Sequence, residues 1–324
     1  MSIHRRGVLS AAALGLVAAP AIRPARAQSW PSRPIEFVVG FPAGGGNDVI
    51  ARTLAPFMER HLGENVRIGV VNRPGAAGEI GFTAIATARP DGYTIGMISP
   101  AFLTIPLERR ARFNFDSFSF IGNVVTEWVG VFVEPNSRFQ NIRELVDFAR
   151  ANPRRINVGV PGLGTSQHRA ILALGRAAGI ELTVVPFAGA APARTAVMGR
   201  HIDVAAIGNS DGVNFVREGQ LRTLGVMAPS RRDDLPDAPT MREQGIDVSA
   251  SIVRGLAAPA GVPDAIMQRL SNALIAALRD PEFLVRAREQ ALSLDPMPSA
   301  EFRAHLLKEQ QEVAELWRTN PWRQ

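Results

Sequence analysis

Short apolar, β-branched runs alternate with helix-period segments from residue 35 to residue 319, and this alternation limits the fold more than any other feature of the chain. Strand runs fall at 35–39, 66–71, 94–98, 129–133, 156–160, 182–186, 203–207, 222–227 and 252–257. Helical spacing falls at 48–62, 77–88, 142–151, 166–178, 190–199, 210–217, 239–244, 263–279, 281–290 and 299–319. Such alternation predicts α/β layers with mostly parallel sheets. Local punctuation agrees. Asn141 followed by Glu144 reads as a capping-box variant, Pro263 opens a helix, and Asn152-Pro153 stops one.

Open α/β sheets bind ligands at the carboxyl ends of their strands. The loops there are Phe41–Asp48, Ser99–Ala101, Pro161–His168, Phe187–Ala191 and Gly208–Gly212. Their small and polar residues suit a pocket that uses backbone N–H groups and hydroxyls. Two groups of loops, early and middle in the chain, suit a cleft between two lobes. The first loop carries Gly44-Gly45-Gly46, which lets N–H groups turn toward a ligand, and Asn47 or Asp48 is expected to cap the helix that follows. A helix start of this kind receives a carboxylate or phosphate. The loop lacks both the Gly-Lys-Ser/Thr of a P-loop and the G-x-G-x-x-G of a dinucleotide fold, so it indicates an anion without indicating a nucleotide.

The N-terminus reads as an export signal. Arg5-Arg6-Gly7-Val8-Leu9 is a twin-arginine pattern, an apolar stretch follows to about Ile22, and Ala25-Arg26-Ala27 is a small-x-small cleavage site. The mature chain is expected to start at Gln28 and to act in the periplasm, by the twin-arginine or the general route. Cleavage removes four arginines from 36 basic residues and leaves 32 against 30 acidic ones, so the basicity is largely a targeting feature. No Lys/Arg run with interleaved aromatics points to nucleic acid. The chain has no cysteine, which excludes thiol nucleophiles and cysteine-held metals. No H-x-x-x-H, H-E-x-x-H or calcium-loop spacing is present, and neither a metal nor a cofactor is expected.

Six motifs in order resemble the substrate-binding receptors of tripartite tricarboxylate transporters, the Bug or TctC-like family. They are Trp30–Ile35 with Phe41–Asp48, Asn72–Gly78, Pro90–Thr94, Gly162–His168, Leu235–Thr240 and Ala258–Pro263. The likeness spans about residues 30 to 300. It implies a two-lobed, type II-like periplasmic binding protein that closes by hinge bending on a small organic acid and passes it to a membrane permease. Lobe one would hold 28–125 and 251–324, and lobe two 126–250. The resemblance implies a ligand carboxylate at Gly164-Thr165-Ser166, where hydroxyls and a helix start favour it, with the turn Phe41–Gly46 meeting the ligand from the first lobe. Many family members have an aromatic-Lys-Gly sequence where this chain has Phe187-Ala188-Gly189. That departure weakens the case for a diacid and favours a monocarboxylate, an aromatic acid or a more neutral ligand, unless position 188 faces solvent.

The expected ligand-binding set is Phe41, Ala43, Gly44, Gly45, Gly46, Asn47, Ser99, Gly164, Thr165, Ser166, His168, Phe187, Ala188, Asn209 and Asp211. Several members have plainer readings: His168 as a structural residue near the site, Asp211 as a helix cap. Outside the set, Arg109, Arg110 and Arg112 read as a solvated loop, Asp203 as a loop-orienting acid, Trp128 as a cleft flank or hinge plug, and Phe113, Phe115, Phe118 and Phe120 as a packed loop. The leading expectation is a monomeric, non-enzymatic receptor. The alternatives are an exported hydrolase using Ser166 and His168, although Gly164–His168 is not the G-x-S-x-G elbow, and a ligand-free regulatory protein on the same fold.

Overall fold

The computed structural model describes residues 30–109, 111–233, 235–319 and 321. The export signal read in residues 1–27, together with Arg110 and Asp234, lies outside them. In chain order the elements are β1 (Ile35–Val39), α1 (Gly46–Leu62), β2 (Ile68–Asn72), α2 (Glu79–Ala86), β3 (Thr94–Ile98), α3 (Ala101–Glu108) and β4 (Phe118–Val133). Then come α4 (Ile142–Ala151), β5 (Asn157–Val160), α5 (Ser166–Ala178), β6 (Thr183–Pro186), α6 (Ala190–Met198), β7 (Val204–Gly208), α7 (Asn209–Arg217) and β8 (Arg222–Val226). The chain finishes with β9 (Ser251–Pro259), α8 (Asp264–Ala277), α9 (Pro281–Glu289), β10 (Leu294–Pro298) and α10 (Ser299–Thr319).

Strand order is β2-β1-β3-β9-β4-β7-β5-β6, with β8 and β10 also on β4. Parallel pairing is confined to β1–β2, β1–β3, β5–β6 and β5–β7. Every pair that involves β4 or β9 is antiparallel. The sixteen residues of β4 extend over roughly 50 Å at a strand's rise, far longer than a typical strand. Residues Phe118 to Trp128 pair with β9, and Val129 to Val133 pair with β7 and β8, so one strand serves two half-sheets.

The first part of β4 does not read as a strand in the sequence, because Gly122, Asn123 and Glu127 interrupt its apolar character. The β9 ladder holds it in place despite two register shifts. Phe118 and Phe120 are therefore strand residues rather than part of a loop. With Phe82 and Phe115 they pack around Phe102 of α3 at 5.4 to 6.4 Å, and Phe113 joins through Phe82 and Phe118. That cluster is core. The sequence also conceals α3, which ends in a turn containing Pro106, and β10; the helix expected at 239–244 is only a three-residue turn, Arg242–Gln244. Asn141 caps α4 as expected, its side chain accepting the Glu144 N–H at 3.0 Å.

Half-buried Trp128 ends the β4–β9 ladder and packs against the second half-sheet's core. Asp203 accepts from the Asn157 N–H at 2.9 Å and faces Arg138, far from the cleft loops in role. The fold therefore brings the carboxyl ends of β1 and β3 to face those of β5, β6 and β7.

Candidate functional site

The turn after β1 is built around Asp48. Its carboxylate accepts the Gly44 N–H at 3.0 Å, Arg52 Nε at 2.9 Å and Asn72 Nδ2 at 2.8 Å. Burial would raise its pKa, but these donors outweigh burial and hold the carboxyl below its ordinary value. Gly44 has φ +77°, which only glycine adopts without strain. Helix α1 starts at Gly46 with Gly45 as N-cap and no side-chain cap. Neither Asn47 nor Asp48 caps it, since Asp48 is spent on the turn.

The loop after β5 is built around Thr165. Its hydroxyl donates to the Gly162 carbonyl at 2.8 Å and accepts the His168 N–H at 3.3 Å, which caps α5. His168 Nδ1 accepts the Gly164 N–H at 3.0 Å, so that ring nitrogen serves the loop. The Gly164 carbonyl accepts from Thr104 of α3 at 2.8 Å and from Arg169 at 3.0 Å. Arg169 in turn pairs with Glu309 of α10 at 3.2 Å. Burial lowers the pKa of Arg169 and raises that of Glu309, so this pair holds the loop at a desolvation cost.

The two sets of loops meet closely. A Cβ on Gly189 would stand 2.8 Å from Pro42, and one on Gly162 would stand 2.7 Å from Ala77. Both glycines have positive φ, +153° and +144°. Between the loops lies a cavity with about 460 Å³ of space free of atoms, part of it continuous with solvent.

Of the expected set, Phe41, Gly45, Gly46 and Asn47 line this cavity, together with Ser99 and with Thr165 and Ser166. Ala43 and Gly44 are exposed at the turn's tip and do not line it. Gly164 and His168 shape the loop instead. Phe187 and Ala188 border a separate, mostly apolar hollow with Ala76, Ala77 and Leu163, and Ala188 is exposed there. Asn209 is buried at the start of α7. Arg109, expected in a solvated loop, edges that same hollow and pairs with Glu79 at 2.6 Å and Glu108 at 3.3 Å, whereas Arg112 is exposed.

Among the described residues Arg254 is the one charged side chain on the cavity wall, and sequence reasoning missed it along with Gln167, Ala190 and Ile252. An arginine inside the apolar strand 252–257 is itself a signal, because such a group is buried only when paired. Arg254 is 2% exposed. Its Nη2 donates to Asp211 Oδ2 at 2.9 Å, and its Nη1 stands 2.5 Å from Glu127 Oε1, an ion pair without hydrogen-bond alignment. Asp211 Oδ1 accepts the Gly46 N–H at 2.5 Å. Asp211 thus does not cap α7, which starts at Asn209 after Gly208; a buried guanidinium offers its carboxylate a stronger partner. Glu127 also accepts from the Ser210 N–H at 3.0 Å and hydroxyl at 2.5 Å. Burial pushes the Glu127 carboxyl above its ordinary range, and nearby Asp211 adds to this; Arg254 and Ser210 offset only part of it. Arg254 stays charged, because its two carboxylates outweigh the cost of its burial.

The chain matches the model of the tripartite tricarboxylate transporter family receptor over residues 50–312. It is 30% identical over 320 residues to the "UPF0065 protein in gbd 5′ region" of Cupriavidus necator, covering 97% of this chain and 96% of that one. Among solved structures it resembles the periplasmic binding protein BugD, at 30% identity with TM-score 0.84, covering 90% of this chain and 98% of that chain. It also resembles MatC from Rhodopseudomonas palustris with bound malate, at 26% identity with TM-score 0.80, covering 90% and 99%.

Proposed function

The chain belongs to the tripartite tricarboxylate transporter receptor family, and from that premise we propose that it captures one small organic carboxylate in the interlobe cavity and delivers it unchanged to a membrane permease. The observation that carries this reading is the start of α5. Thr165 uses its hydroxyl on the cap and the backbone ladder begins at Arg169, while Ser166 and Gln167, the first two residues of the helix, line the cavity. Their N–H groups, the Ser166 hydroxyl and the positive helix end together suit a carboxylate. MatC, a family neighbour with malate bound, supports the ligand class.

Lobe one comprises 28–125 with 251–324, and lobe two 126–250; the exchange of β4 partners after Trp128 and the start of β9 at Ser251 favour this division. Closure brings Pro42 toward Gly189 and Gly46 toward Asp211 by bending near those strands. Residues 1–27 are a cleaved export signal, consistent with BugD being a periplasmic protein. The receptor acts as a monomer and performs no catalysis; engagement of His168 Nδ1 by Gly164 argues against a Ser166–His168 pair built for hydrolysis.

The test is a thermal-shift screen of protein recovered from the periplasmic fraction, against mono-, di- and tricarboxylates, amino acids and aromatic acids. A ligand at a hundred times its Kd adds about 2.7 kcal/mol and raises Tm visibly. Recovery of the acid unchanged supports a receptor, and turnover lost in Ser166→Ala supports the hydrolase. An N-terminal sequence starting at Gln28 checks the cleavage site.

A further inference from the structure

The floor of the cavity carries a cation without offering a net positive charge. Arg254 faces two carboxylates, Glu127 and Asp211, each with a side chain 1% exposed. Arg194 of α6 also donates to the Asp211 carbonyl at 2.9 Å, so two cations face two acids and the cluster is neutral with both acids ionised. The nearest helix start is likewise occupied, since the Gly46 N–H at the head of α1 already donates to Asp211. Two glycines make room for this cluster. A Cβ on Gly46 would collide with Arg254 Nη1, and one on Gly208 would come within 2.6 Å of Glu127 Oε1.

The floor leaves hydrogen-bonding capacity open. Arg254 Nε and Asn47 Oδ1 are both buried without a hydrogen-bond partner, on two residues that line the cavity and are 2% and 8% exposed. A buried polar group without a partner is costly, and a ligand group that supplies one is selected strongly over an analogue that lacks it. A second carboxylate at this floor would be desolvated against a cluster with no positive charge to spare.

Resting on the receptor reading above, we propose that this site selects a small monocarboxylic acid bearing a neutral hydroxyl: the carboxylate sits at the start of α5, and the hydroxyl bonds to Arg254 Nε and the Asn47 amide at the floor. Arg254 is then a binding residue that reads a hydroxyl, and Asp211 is the acid that keeps diacids out.

Titration calorimetry on the periplasmic protein, with sets matched in length, tests this. One set is propionate, 3-hydroxypropionate, 3-aminopropionate and malonate; the other is butyrate, 4-hydroxybutyrate, 4-aminobutyrate and succinate. The hydroxy acid of at least one set is expected to bind about tenfold or more tighter than its unsubstituted acid, with the diacid weaker than the hydroxy acid. Asn47→Leu should weaken the hydroxy acid more than the unsubstituted acid and so erase the hydroxyl preference. Asp211→Asn should improve diacid binding about tenfold or more. Equal affinity for hydroxy and unsubstituted acids in both sets, or tighter binding of a diacid or amino acid, overturns the proposal and leaves the receptor reading intact. If none of these acids binds but another carboxylate does in the thermal screen, this ligand class is overturned alone. If no carboxylate binds in either experiment, the receptor reading falls and takes this proposal with it.

Discussion

Two helix starts face the same cavity, and they are finished in opposite ways. Helix α5 is closed by a neutral side chain, Thr165, which takes one N–H and leaves the residues at its first turn on the cavity wall. Helix α1 has only a glycine at its cap, and its first N–H is taken by the carboxylate of Asp211, from the facing half of the molecule. A helix start attracts anions in either case. The difference is whether the anion comes from the ligand or from the protein. One glycine-rich turn therefore proves less informative than the partner that reaches it through space.

The comparison is tested most severely at Arg254. Arg254→Leu leaves Glu127 and Asp211 buried without their cation, and a loss of about 3–5 kcal/mol is expected in urea unfolding. A loss below about 1 kcal/mol would show that Asp211 is not held against α1 by this cluster. Next comes Gly46→Ala, whose methyl would strike the Arg254 guanidinium; overpacking predicts a loss of about 1–3 kcal/mol on the same measurement. The matching change at the other helix, Ser166→Ala, should leave the melting temperature of the free protein nearly unchanged. It should weaken carboxylate binding by about 1–2 kcal/mol in calorimetry, one charge-assisted hydrogen bond lost. Thr165→Ala removes the α5 cap and should cost about 1 kcal/mol of stability.

The smallest effect is on pH dependence. Glu127 has its native pKa raised above the ordinary 4.5, so the native state binds its proton more readily than the unfolded chain. Its contribution is fully present below pH 4.5 and is lost as pH rises through the native value. Glu127→Gln should flatten the fall of Tm with pH above 4.5. Asp48 runs the other way. Its native pKa lies below 3.8, so its contribution is present above pH 3.8 and is lost as pH falls through the native value. Asp48→Asn should flatten only that acid limb. If Glu127→Gln left the upper limb unchanged, burial would not be raising the Glu127 carboxyl in the native state.

Much of the fold was legible because its causes are local. The run Ile35–Val39, the cap at Asn141 and the stop at Asn152-Pro153 each follow from neighbours within a few residues. The small-residue loops were legible too, and Phe41, Gly45 to Asn47, Ser99, Thr165 and Ser166 do meet at the cavity. Phe118 to Trp128 was not, since a strand interrupted by Gly122, Asn123 and Glu127 is held by a ladder to residues more than a hundred positions away. Arg254 was not singled out either. Its strand read as apolar, and the acids that justify its burial lie in two other elements.

The sequence by itself determined the α/β alternation, the glycine-rich turn, the Asn141 cap and the family resemblance, because backbone sterics, helix periodicity and capping operate over a few residues. Only the tertiary structure decided what each helix start would hold. Asp211 is 165 positions from Gly46 and 43 from Arg254, and no local pattern links them. Their pairing exists because burial removes water from Asp211, Glu127 and Arg254 at once, and only protein groups then remain to partner them.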